Sequence, residues 1–268
     1  METIKIIVLG ASGRMGRMVF EACKSKSQEV EVIGLVEAPG STAVGEVRAW
    51  KEKSITLVDD LNQVIEKDAV IIDFTLPGPT LKNLEIAQKH QAKVVIGTTG
   101  FSSQEKESLK QFSDSIALVL SPNMSVGVNV LFKVTEIVSR TLGEDYDIEV
   151  VEGHHKHKKD APSGTAIGLG EAIGRGRELD YREKAIYGRE GIVGARKKGE
   201  IGFHAIRGGS IVGDHTVMYA GEGERVELTH LAQDRIIFAN GAVQAALFLS
   251  KQKQGMYSMF DVLGLNNI

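Results

Sequence analysis

Cysteine is almost missing from this sequence: Cys23 is the single thiol, which excludes an intramolecular disulfide framework and suits a reducing, cytoplasmic setting. Cys23 itself reads as a small buried apolar side chain on a helix. No apolar run approaches the roughly 20 residues needed to span a bilayer. The N-terminus lacks the basic region and long apolar core of a signal peptide, so the chain is expected to stay where it is made, with no membrane partner. There is no excess of positive charge, with 32 Lys and Arg against 35 Asp and Glu for a net charge of -3, which argues against a nucleic-acid partner. Any anion site must therefore be local. Internal repeats and low-complexity segments are absent as well, so the chain should be folded over most of its length.

What is present is ordinary in bulk and ordered in detail. The 42% hydrophobic and 25% charged content is that of a soluble protein, and 268 residues allow two modest domains. In the first half, short Val- and Ile-rich runs at 4–9, 32–36, 69–74, 93–96 and 116–120 read as strands buried on both faces. Helix-like stretches lie between them at 13–24, 61–66, 80–90 and 103–112, with Pro77 and Ser102 or Ser103 as start signals. Strands alternating with helices predict right-handed crossovers and a Rossmann-type, doubly wound parallel sheet in an α/β protein.

The pattern changes after Asn123. A helix is expected over 126–141, a strand over 146–151, a cationic loop, and a helix over 164–173. Residues 174–199 are glycine-rich and charged and read as an extended loop. Runs at 210–219 and 224–230, separated by "AGEGE", carry hairpin chemistry and predict a second α+β region with a mixed or antiparallel sheet. A last apolar helix, 235–251, is expected to close back on the first domain.

Gly10, Gly13 and Gly16 follow the first strand and open a helix, inside a βαβ unit that ends at Glu37. Glycines there permit a tight turn and close approach of a pyrophosphate to the helix N-terminal amides. Glu37 at the tip of the second strand is suited to accept hydrogen bonds from ribose hydroxyls, and its charge repels a 2′-phosphate. The bland alternative is a tight strand-to-helix turn and nothing more. Three further segments fall at strand ends, where an open sheet takes its ligand: "DFT" at 73–75, "GTTG" at 97–100 and "SPNMSVG" at 121–127.

The stretch "EGHHKHKKDAPSGTA", 152–166, holds three histidines and three lysines within six positions. His154, His155 and His157 with Glu152 or Asp160 raise the prospect of a metal, but Lys156, Lys158 and Lys159 would face the dication, and no carboxylate-rich spacing compensates. A solvated charge run explains single lysines. It leaves unexplained why the run adjoins "DAPSGT", where Ser163 can cap a helix and Gly164 and Thr165 offer amides. An anionic substrate site with His and Lys as proton donors accounts for both.

These motifs, with "GASGRMGR" at the N-terminus, resemble the dihydrodipicolinate reductase family over the whole chain and in order. The resemblance implies a homotetramer, with a dinucleotide-binding (Rossmann) domain at 1–125 and 236–268 and a substrate-binding and oligomerisation domain at 126–235. It implies a 4-hydroxy-tetrahydrodipicolinate reductase activity, in which hydride from NADH or NADPH reduces a cyclic imine dicarboxylate to tetrahydrodipicolinate in lysine and diaminopimelate biosynthesis. His154 matches the family's acid–base histidine and Lys158 its proton-donating lysine. His155, Ser163, Gly164 and Thr165 match substrate contacts. Gly10, Ala11, Ser12, Gly13, Arg14, Met15, Glu37, Phe74, Gly97, Thr98, Thr99, Ser121, Pro122, Asn123 and Met124 match cofactor contacts, and no metal is implied.

Two positions depart from the family pattern. Ala38 and Pro39 follow Glu37 where members that use NADPH well carry arginine, which predicts a preference for NADH unless Lys5 or Arg14 reaches the 2′-phosphate. Met124 stands where phenylalanine is common, a soft apolar exchange. Two rival readings are a dinucleotide-binding sensor or scaffold that does no chemistry, and a reductase of the same fold acting on aspartate semialdehyde. The second would need a cysteine nucleophile or other bases, and Cys23 lies in the wrong helix.

Overall fold

Strand residues that alternate between two apolar layers need cover on both faces, and the first half of the chain is built that way. The computed structural model describes residues 3–268. In chain order the elements are β1 (Ile4–Leu9), α1 (Arg14–Ser25), β2 (Val30–Val36), β3 (Val47–Trp50), β4 (Lys53–Val58), β5 (Val70–Asp73), α2 (Pro77–His90), β6 (Lys93–Ile96), α3 (Ser103–Ser113) and β7 (Ala117–Leu120). There follow α4 (Val126–Leu142), β8 (Asp147–His154), α5 (Gly164–Arg177), α6 (Tyr181–Lys184), β9 (Ala185–Tyr187), β10 (Ile201–Arg207), β11 (Gly213–Gly221) and β12 (Glu224–Ala232). The chain ends in α7 (Ile236–Leu249), β13 (Gly255–Tyr257) and α8 (Met259–Leu263).

Two units result. The first runs up to Val126 and resumes at Arg235–Ile268; the second is Gly127–Asp234. In the first, eight strands lie in the order β13-β7-β6-β5-β1-β2-β4-β3, all parallel except the β3–β4 hairpin. Ile6 and Val8 face a core shared with α1 and α7, while Ile7 and Leu9 face one shared with α2 and α3. Each such fully buried side chain contributes about 1.5–3 kcal/mol, so β1 is the spine of the unit. Strand order reverses at β1, with β2 on one side and β5 on the other, and the crevice beyond their carboxyl ends is where such sheets take ligands.

The second unit carries a mixed five-stranded sheet, β12-β11-β8-β10-β9, parallel through β8, β10 and β9 and antiparallel at β11. Ile148, Val150, Ile201, Val217 and Tyr219 are among its buried side chains. The Tyr219 hydroxyl donates to the Thr135 carbonyl of α4 at 3.1 Å. The fold is thus a doubly wound α/β sheet with a second α+β unit.

Several expected elements differ. The helix expected at 61–66 is a single 3₁₀ turn, Leu61–Gln63, because Leu61 and Ile65 turn into the core and Val64 packs on Gly34. Residues 47–58, unassigned from sequence, form the β3–β4 hairpin, whose Trp50 is buried against the Phe20 ring at 5.8 Å. The expected loop at 174–199 holds the end of α5, then α6 and β9. Strands β10 and β13 gave no alternating signal and were not foreseen; both gain their place by pairing with strands distant in sequence. Strand β8 runs three residues further than expected, which puts Glu152 and His154 on the sheet and not in the loop.

Candidate active site

In the first unit the turn after β1 is shaped by glycine. Gly10 has φ +62°, and a Cβ on Gly16 would come within 2.1 Å of the Gly10 carbonyl oxygen, so the helix can lie this close to the turn only without a side chain. No side chain caps α1, and uncapped amides at a helix start are what an anion would require. Glu37 accepts hydrogen bonds from the Ser12 amide (2.8 Å) and hydroxyl (2.5 Å) and from the Ala38 amide (2.9 Å). Burial alone would raise its carboxyl, but these bonds outweigh it and hold Glu37 below the usual carboxylate range, ionised at neutral pH. Gly10, Ser12, Gly13, Glu37 and Phe74 line a cavity of about 550 Å³.

The loops beyond β5 and β6 are tied together. Asp73 is wholly buried and accepts from the Thr75 amide (2.8 Å), the Thr75 hydroxyl (2.6 Å) and the Thr98 hydroxyl (3.3 Å). Burial pushes its carboxyl up against the pull of those bonds. The Phe74 ring occupies the space a Cβ on Gly97 would need, 2.2 Å away. Ser121 donates to the Asn123 carbonyl at 2.8 Å; Pro122 and Thr99 are exposed, and the Met124 side chain is buried in the core. Of the two cations considered for a 2′-phosphate, Lys5 stands at the amino end of β1, opposite the crevice end, and pairs with Glu66 at 2.5 Å. Arg14 is exposed in the first turn of α1.

In the second unit strand register assembles the site. Glu152 and His154, two apart on β8, point to the same face. Arg207 of β10 stands beside His154, and His215 of β11 beside Glu152. The His154 Nδ1 meets Glu152 Oε2 at 2.7 Å; Arg207 donates to both Glu152 oxygens at 2.8 Å; the Ser163 amide donates to Oε1 at 3.0 Å. Ser163 is the N-cap of α5: its hydroxyl accepts from the Ala166 amide at 3.1 Å and meets His215 Nε2 at 3.0 Å, so it is occupied inside the fold. Gly164 beside it is exposed. Lys158 pairs with Asp160 at 3.0 Å. His155 and His157 lean on one another with ring centroids 6.2 Å apart. Burial lowers the His154 imidazole below its ordinary value against the opposing pull of Glu152, and pushes His215 down to about 3. Among the described residues no group of three or more His, Cys, Asp or Glu side chains is arranged to hold a metal.

The sequence-based candidates thus fall into two sets, one around the β1–β5 crevice of the first unit and one at the β8–α5 junction of the second. Missed from sequence were Arg207 and His215, and Glu152 was considered only as a metal ligand. The spacing of the first two, some 50–60 residues from His154, carries no local signal.

A doubly wound sheet with a glycine turn at its switch point in one unit, and a histidine–carboxylate pair buried at a helix start in the other, are features of α/β enzymes of the nucleotide-binding oxidoreductase class. The chain belongs to the dihydrodipicolinate reductase family: the profile of its N-terminus matches residues 4–124 and that of its C-terminus residues 127–263. A curated protein of Burkholderia thailandensis, a 4-hydroxy-tetrahydrodipicolinate reductase, is 47% identical over 270 residues, covering 99% of this chain and 100% of that one. A protein of the same description from Psychrobacter arcticus is 47% identical over 268 residues, covering 98% and 96%. The fold matches the dipicolinate-bound dihydrodipicolinate reductase of Paenisporosarcina sp. TG-14 with a TM-score of 0.77 over 97% of this chain and 99% of that one, at 19% identity.

Proposed function

We infer that this protein is a 4-hydroxy-tetrahydrodipicolinate reductase, an NAD(P)H-dependent oxidoreductase acting on a small cyclic imine dicarboxylate. The observation that carries the reading is near-full-length identity of 47% to curated reductases of that name. It is supported by cationic and proton-bearing groups gathered at the start of α5.

We assign the dinucleotide to residues 1–125 and 236–268. The close approach of α1 to the Gly10 turn, which a Cβ on Gly16 would block, and the ionised Glu37 suit a pyrophosphate and a ribose. Ala11, Ser12, Gly13, Arg14 and Met15 would line the pyrophosphate, and Phe74, Gly97–Thr99 and Ser121–Met124 the nicotinamide half. When bound, the cofactor supplies a hydride. The residues of 126–235 do the rest. Gly164 and Thr165, with His155, hold a carboxylate; Ser163 braces the helix start; Lys158 and His154 deliver the proton that the reduced ring takes up. The same domain is the oligomerisation domain of a homotetramer, a reading supported by Ile206 and Leu231, 54% and 60% exposed in one cross-strand row. The lone buried thiol Cys23 supports a cytoplasmic location.

NADH is the preferred reductant in this reading. Glu37 repels a 2′-phosphate, Ala38 and Pro39 offer it no partner, and Lys5 lies at the wrong end of its strand. Equal kcat/KM for NADH and NADPH would refute the preference. The activity is tested by NADH oxidation coupled to dihydrodipicolinate synthase: turnover is expected, and NADH binding without turnover would make the chain a sensor or scaffold. Light scattering at about four times 29.0 kDa is the expected result for the assembly.

A further inference from the structure

Glu152 does more in this fold than its sequence position suggests. It is 1% exposed, yet it is held by His154, by both arms of Arg207 and by the Ser163 amide, so both its oxygens are occupied. An ionised carboxylate only accepts hydrogen bonds. The 2.7 Å contact to His154 Nδ1 therefore requires the proton on Nδ1, and Nε2 is left as the nitrogen that can exchange a proton with a ligand. Arg207 also donates to the Asp160 carbonyl at 2.7 Å, so the group that clamps Glu152 also holds the loop bearing Lys158.

We propose that Glu152 is a positioning residue that, clamped by Arg207 and Ser163, fixes His154 as its Nδ1–H tautomer and keeps Nε2 for proton exchange with the substrate. The inference rests on the reading of His154 as a proton-handling group. The charged and titratable groups around that ring are Glu152 on β8, Arg207 on β10, His215 on β11 and Lys158 with its partner Asp160 in the loop. Burial, Lys158 and Arg207 all disfavour the imidazolium, and Glu152 is the group that favours it. Removing the Glu152 charge therefore shifts the protonated form of His154 to lower pH. Glu149 serves as the control: it lies on the same strand, bound by Arg189, Arg196 and His204 in the same manner.

The experiment has two arms on the full-length protein. With ¹⁵N-labelled histidine, the neutral His154 ring of wild type is expected to carry its proton on Nδ1; a ring protonated on Nε2 overturns the proposal and needs no variant. In the coupled assay, Glu152→Gln is expected to lower kcat tenfold or more, up to the 10²–10⁴ that a positioned acid contributes. Its KM for NADH should stay unchanged and the alkaline limb of its pH profile should move to lower pH, while Glu149→Gln keeps the wild-type limb. A Glu152→Gln enzyme with the wild-type limb, or a Glu149→Gln enzyme that moves equally, sinks the assignment. Wild type that binds NADH but does not turn over defeats the reductase reading instead, and the tautomer still reports on Glu152 by itself.

Discussion

The turn at Gly10–Gly16 and the junction at Glu152–Thr165 are the two regions proposed to take an anion, and they are built by different means. The first uses backbone: glycines remove side chains so that amides and a helix end come close. The second uses side chains, a histidine oriented by a carboxylate that is itself held from β10 and α5. A backbone site is complete within a dozen residues. A side-chain site of this kind is complete only when three strands and a helix have paired.

The comparison is broken most severely by removing the two proposed proton donors. Lys158→Ala and His154→Ala should each cost on the order of 10²–10⁴ in kcat while NADH affinity, measured by fluorescence titration, stays at the wild-type level. A Lys158→Ala enzyme at full rate would show that the donor lies elsewhere. The backbone site breaks the other way. Gly16→Val would drive a side chain into the Gly10 carbonyl, and loss of NADH binding with about 1–3 kcal/mol of destabilisation is expected, the histidine spectrum of the second unit remaining as it was.

Acid should weaken the second of these regions. His215 has a folded value near 3 against an ordinary 6.5, so the unfolded chain takes up a proton that the folded one refuses. Stability is therefore lost progressively as pH falls below about 6.5. Glu152, held below its ordinary value, adds stability present above the carboxylate range and lost as pH drops through its folded value. Both run in one direction: the melting temperature should fall from pH 7 toward pH 4, less steeply in His215→Asn. A flat wild-type profile would contradict it. The smallest effect is expected at Ser163→Ala, about 1 kcal/mol for a lost N-cap, visible as a lower melting temperature with a raised substrate KM.

Much of this was legible beforehand, for reasons that differ by region. Strands buried on both faces write continuous apolar runs, so β1, β2, β5, β6 and β7 could be read along with the parallel sheet. Strand β10, "IGFHAIR", mixes polar and apolar residues without a clean period, and its neighbours β8 and β9 supply the reason it is a strand. The Leu61 segment looked helical because its apolar spacing allows one turn, but packing of Val64 on Gly34 and the return into β5 stop it there.

The sequence by itself determined the fold class, the glycine turn, and the candidacy of Glu37, His154 and Lys158, because each shows in a short run of residues whose pattern can be read along the chain. Only the tertiary structure decided what holds His154. Register across β8, β10 and β11 brings Arg207 and His215 to Glu152 from over 50 residues away, and nothing short of strand pairing fixes which side chains stand opposite one another.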